Sequence, residues 1–168
     1  MTKGRGPRAE GAGRRVASIS ADADALATLL GFDFGTKKIG VAVGQTVTGT
    51  ASPLTTLRHR DNRPDWTAIE ALMREWHPEA AVLGLPHNMD DTEEETLAEP
   101  VRRFARQLEG RFAVPVHLVD ERLTTIAAER ALGPTRAGGR GSRRRAGDAV
   151  DAYAAKLILE TWLGEQRP

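Results

Sequence analysis

Five carboxylates in this chain stand where an ordinary surface acid would not. Asp33 lies inside the apolar stretch Leu29-Leu30-Gly31-Phe32-Asp33-Phe34. A carboxylate taken out of water needs a hydrogen bond, an ion pair or a metal ion, because an uncompensated buried charge is very costly. The plainer alternative is a structural Asp that caps the Gly35-Thr36 turn. Asp120-Glu121-Arg122 closes the apolar run 114–119, and strand ends in open α/β sheets face the site crevice. Neighbouring side chains on a strand alternate faces, so at most one of Asp120 and Glu121 points straight into a shared site. An ordinary charged strand-to-helix loop is the alternative here. Asp148 and Asp151 are three residues apart, which puts both on one face of a helix. That face continues through Ala152, Ala155, Leu159 and Trp162. Helix capping and dipole placement would explain Asp148, which follows Gly147, better than Asp151.

If these acids converge, the cluster is all oxygen, and it suits Mg²⁺ or Mn²⁺ rather than zinc. One or two such ions would serve phosphodiester hydrolysis. A pair about 4 Å apart activates water and stabilises the leaving oxygen. Cysteine is absent, and His59, His77, His87 and His117 show no ligand spacing. There is no Walker A loop, Rossmann glycine fingerprint or nucleophile elbow. Groups suited to phosphate stand beside the acids. Gly35 and Thr36 let backbone amides approach an anion, and Lys37 and Lys38 add charge. Arg122 follows Glu121, and Arg143, Arg144 and Arg145 precede Asp148. Contacts of this kind read backbone and shape rather than base sequence.

The elements that would carry these residues follow from periodicity. Apolar runs predict strands over 29–34, 39–44 and 50–57, joined as an antiparallel meander, with Pro53 favouring an edge or a bulge. Trp66, Ile69, Leu72, Met73 and Trp76 predict a helix ended by His77-Pro78. Ala80–Leu85 predicts a central strand. Leu97, Val101, Phe104 and Leu108 predict a helix ending at Gly110, either kinked at Pro100 or starting near Glu99. A strand over 114–119, a short helix over 124–132, a Gly/Arg loop over 135–147 and a last helix over 148–163 complete the order. The expected class is an α/β domain with a mixed five-stranded sheet, a three-stranded meander plus two parallel strands, flanked by helices.

The chain has 168 residues and a net charge of only +1, but its charge is segregated. Lys3, Arg5, Arg8, Arg14 and Arg15 face one acid, Glu10, in the first 18 residues. Residues 135–147 hold five arginines and no acid. Such blocks suit a polyanionic partner or simply form solvated segments. Residues 1–24 are expected to be a flexible basic arm and 25–168 a single domain. No apolar run approaches a membrane span, and the start lacks the apolar core of a secretory signal. With no cysteine, a reducing cytoplasm is the expected setting.

Four blocks resemble one family. Phe32-Asp33-Phe34-Gly35-Thr36-Lys37-Lys38-Ile39-Gly40-Val41-Ala42-Val43 is similar to the opening motif of the YqgF/RuvX family, described both as Holliday junction resolvases and as pre-16S ribosomal RNA nucleases. Gly84-Leu85-Pro86-His87-Asn88-Met89-Asp90, Asp120-Glu121-Arg122-Leu123-Thr124-Thr125 and Val150-Asp151-Ala152-Tyr153-Ala154-Ala155 match in the same order. Asp91 departs from the glycine usual after the second block. The resemblance implies a ribonuclease H-like fold and metal-dependent hydrolysis in trimming the 5′ end of small-subunit ribosomal RNA precursor, with branched DNA as the other substrate. It carries the metal-binding acids onto Asp33, Glu121 and Asp151, with Asp120 the rival of Glu121 and Asp148 a fourth candidate. Two readings compete. The Asp-x-Gly-Thr hairpin also resembles the phosphate loop of actin-like ATPases, which need two such domains where this chain has length for one. A non-catalytic nucleic-acid or ribosome-associated module would need none of the acids. No heptad points to an obligate oligomer, so a monomer or weak homodimer is expected.

Overall fold

The computed structural model describes residues 27–85, 94–120 and 140–166. Strands β1 (Thr28–Phe34), β2 (Lys38–Gln45), β3 (Thr50–Arg58), β4 (Ala80–Leu85) and β5 (Val116–Asp120) form one sheet in the order β3-β2-β1-β4-β5. The first three pair antiparallel, while β4 joins β1 and β5 joins β4 in parallel. This is the expected mixed sheet, with the strand that carries Asp33 at its centre. The β2–β3 register slips between Val41 and Ala42, whose partners are Thr55 and Pro53. Leu54 is thus the extra residue of a bulge on an edge strand, which is how proline is tolerated there.

Helix α1 (Trp66–Trp76) begins where Asp65 accepts a hydrogen bond from the Ala68 amide. It ends at His77, which is left-handed at φ 45° and is followed by Pro78. Helix α2 (Glu94–Phe112) runs through Pro100 as one element and passes Gly110 by two residues, stopping before Ala113 at φ 53°. With α1, it covers one face of the sheet. Leu30, Phe32, Ile39, Val41, Ala81 and Leu83 are buried there against Ile69, Met73, Val101, Phe104 and Leu108. Phe104 meets Phe32 edge-on at 5.7 Å, a favoured aromatic geometry.

The opposite face belongs to α3 (Arg140–Glu165). It starts eight residues before the expected Asp148, so Arg143, Arg144 and Arg145 are helical, not part of a loop. Gly141 and Gly147 suggested a loop, but a helix already nucleated by its buried C-terminal part propagates at little cost through arginine and alanine. The short helix expected over 124–132 and the basic arm lie outside the described residues. Ala152, Ala155, Ile158, Leu159 and Trp162 of α3 are buried against the sheet. Helix α3 crosses the strands diagonally. Thr56 of β3 donates to the Asp148 carbonyl at 2.6 Å, and the Trp162 ring stacks on His117 of β5 at 4.7 Å.

His117 links stability to pH. Burial of its ring against α3 disfavours the imidazolium and lowers its pKa below the ordinary 6.5, with Glu109 opposing more weakly. Its Nε2 is buried with no hydrogen-bond partner among the described residues. As pH falls through 6.5 the unfolded chain binds a proton at His117 before the folded one does, so stability present above that value is lost below it. His117→Phe keeps the stack and removes the proton uptake. Urea midpoints of the parent should therefore fall more between pH 7 and pH 5 than those of the variant, and parallel curves would contradict this assignment.

Candidate active site

The site is built by glycine. On a central strand a residue without a side chain lets another backbone lie directly upon it. A Cβ on Gly40 would collide with the Asp151 carbonyl, and one on Gly31 would come 2.9 Å from the Ala155 carbonyl oxygen. Helix α3 therefore rests on bare strand at Gly40 and Gly31, one turn of helix apart. Gly40 is the register partner of Asp33 across the β1–β2 ladder. Directly opposed residues of an antiparallel pair point to the same face. The half-buried Asp33 is thus on the α3 side, one strand over from the point where Asp151 touches the sheet.

The same alternation separates Asp120 from Glu121. Ala80, Val82 and Val119 belong to the α3 side, whereas Ala81 and Leu83 pack under α1 and α2. Asp120 pairs with Leu85, which packs with that second group, so Asp120 lies on the face opposite Asp33. Glu121 and Arg122 lie outside the described residues.

Asp148 and Asp151 are the ninth and twelfth residues of α3, not its first turn. Capping and the helix dipole act on the terminal turn, so neither accounts for these acids. They are instead held by cations. The Lys38 ammonium is 2.7 Å from Asp151 Oδ2 and 3.6 Å from Asp148 Oδ1. Arg58 donates to Asp148 Oδ1 at 3.0 Å. Asp151 Oδ2 is buried, its charge is compensated by the Lys38 ammonium, and among the described residues it has no hydrogen-bond partner. Such an oxygen, beside another carboxylate on the same face, fits a hard divalent cation. Among the described residues no three His, Asp or Glu side chains cluster closely enough to enclose an ion.

The β1–β2 turn lies at the same end of the sheet as Asp33. Gly35 donates to the Lys38 carbonyl at 2.9 Å, and Thr36 and Lys37 are exposed at its tip. Lys38, expected to face phosphate, faces the acids instead. His59, just past β3, clamps this turn. Its amide donates to the Lys37 carbonyl at 2.9 Å, its Nε2 donates to the Gly35 carbonyl at 2.8 Å, and its ring meets Phe34 edge-on. Because a carbonyl only accepts, the proton is assigned to Nε2. The sequence carried no sign of this role beyond a histidine after a strand. Arg143, Arg144 and Arg145 lie on α3 three to five residues before Asp148.

The profile of the RuvX family, described as Holliday junction resolvase, matches residues 27–165. A protein of Azotobacter vinelandii named "Putative pre-16S rRNA nuclease" is 53% identical over 140 residues, covering 82% of this chain and 94% of its own. A protein of Yersinia enterocolitica with the same name is 50% identical over 142 residues, covering 83% and 96%. Among solved structures, T. thermophilus RuvC in complex with Holliday junction substrate superposes with a TM-score of 0.51 at 14% identity, covering 83% of this chain and 95% of that one. That likeness establishes the expected ribonuclease H-like fold.

The close crossing generates a stability test. Gly40→Ala must push α3 off the sheet, because the obstacle is backbone, and should cost at least ~2 kcal/mol in urea unfolding. Gly110→Ala, whose Cβ meets nothing within 4 Å, should be neutral or stabilising by up to ~1 kcal/mol. Equal stability of the two variants would mean that α3 does not lie on Gly40.

Proposed function

The chain belongs to the RuvX family, and from that premise we infer a metal-dependent nuclease that trims the 5′ end of pre-16S ribosomal RNA. Nuclease activity is what the family and the relatives' names have in common. The choice of RNA rests on relatives at half identity or more, which share nearly their whole length with this chain. One observation carries the chemistry: the glycine crossing seats the helix backbone at Asp151 on Gly40, the strand position beside Asp33 on the same face.

In this reading Asp33 and Asp151 hold Mg²⁺ or Mn²⁺, as one ion or two. Glu121 is the favoured third ligand, because strand alternation continued past Val119, which is on the α3 side, would turn residue 121 to that side, whereas Asp120 falls on the other face. Asp148 is the fourth donor available once its ion pairs open. A bound ion would lower the pKa of an attacking water and neutralise the leaving oxygen. The protein's own groups orient the substrate. The Thr36 amide and the Lys37 ammonium receive a phosphate at the clamped turn, since the Gly35 amide is already bonded to the Lys38 carbonyl. Arg122 and Arg143 to Arg145 hold backbone flanking the cut, so recognition is by shape and weakens steeply with salt.

No helix among the described residues is long and apolar enough to cross a membrane. We place the protein in the cytoplasm, where its substrate is made, as a monomer or weak homodimer. The second reading, cleavage of four-way DNA, is favoured by the family description alone. It would require a dimer to cut two symmetric strands.

Incubation with Mn²⁺ and either precursor ribosomal RNA or a four-way junction, with the ends mapped, decides between them. RNA ends at the mature 5′ terminus are expected. Asp33→Asn should reduce cutting by more than the ~100-fold that loss of a merely supporting residue costs, with RNA binding retained. Undiminished cutting by this variant would refute the metal assignment.

A further inference from the structure

We propose that Lys38 is a resident counter-ion of the carboxylate pair on α3, displaced when a divalent cation binds. This rests on the metal-dependent reading above and adds to it a residue that governs ion loading. Asp148 and Asp151 cannot move apart to relieve their repulsion. Asp151 is pinned by backbone contact on Gly40, and Asp148 by the Thr56 hydroxyl and the Arg58 guanidinium. Lys38 Nζ lies between them, 2.7 Å from Asp151 Oδ2 and 3.6 Å from Asp148 Oδ1. Its place is kept open by Gly147, where a Cβ would come 3.0 Å from Nζ. The oxygen it compensates is buried and, among the described residues, has no hydrogen-bond partner.

A divalent ion on that oxygen and an ammonium at ion-pair distance would repel strongly in a partly desolvated site. One must leave, and only Lys38 has a flexible stem with which to do so. The stem springs from the end of the 35–38 turn, beside the proposed phosphate position. A phosphate there would receive the released ammonium. Ion and substrate binding are thereby coupled: each makes the other easier, by equal factors. Lys38 is a positioning residue in this scheme. It acts on the metal through Asp151, and Arg58 keeps Asp148 in place whether Lys38 is present or not.

The test is calorimetric titration of the parent, Lys38→Gln and Lys38→Arg with Mn²⁺ alone, without nucleic acid. Lys38→Gln should bind Mn²⁺ about fivefold more tightly, the scale of a partly exposed ion pair. Lys38→Arg, which keeps the charge, should stay near the parent. In EDTA, Lys38→Gln should melt below the parent, and added Mn²⁺ should raise its Tm by more than it raises the parent's. This second readout holds even if the variant is poorly folded without metal. Unchanged or weaker Mn²⁺ binding by Lys38→Gln, with the parent binding, would overturn the counter-ion role and leave the nuclease reading standing. Failure of all three proteins to bind Mn²⁺ would bring both down.

Discussion

The contact on which the site depends is backbone against backbone, where α3 lies on Gly40. Ordinary helix-on-sheet packing keeps axes about 10 Å from the sheet through intervening side chains. Here a strand position without a side chain lets the helix settle to the main chain itself. Two things follow from that one approach. Asp151 is brought to the strand position beside Asp33, and the helix loses the freedom to slide, because its next turn is seated on Gly31 in the same way. Dispersion and apolar burial by Ile158, Leu159 and Trp162 hold the remainder of α3 down, so the acids are fixed by a packed core and not by their own interactions.

That separation of duties suits a charged site. Paired carboxylates destabilise the place where they sit, and their neighbours must absorb the cost. Lys38 and Arg58 supply positive charge from β2 and β3, while His59 secures the adjacent turn by two bonds to its carbonyls. The three strands of the meander thus each contribute something different: an acid from β1, a cation and a bare landing place from β2, and a brace from β3 and the residue after it.

The inner strands β1, β2 and β4 could be read from the chain because they are largely apolar runs of strand length. The edge position of β3 was legible too, through Pro53. The start of α3 was not. Two glycines and a run of arginines look like loop, and local composition does not reveal that a helix buried further on will propagate back through them. For the site, Asp33 and Asp151 stood out as acids among apolar neighbours. The β4–β5 register gives the face of Asp120, which the sequence could not, and Glu121 lies outside the described residues. The crossing at Gly40 could not be foreseen, since a glycine in a strand has many causes and its partner is 111 residues away. For the same reason the ion pairs of Lys38 were hidden: its neighbours in sequence are a turn, and its neighbours in space are on another element.

The bulge at Leu54 has a bearing on how copies of this protein could meet. A strand docking from outside needs a regular two-residue rhythm of amides and carbonyls. Along β3 that rhythm is broken in mid-strand, directly after a proline. This border of the sheet is thereby a poor template for further strands, and the protein is protected there from growing into ribbons. Among the described residues the opposite border, β5, pairs with β4 in unbroken register.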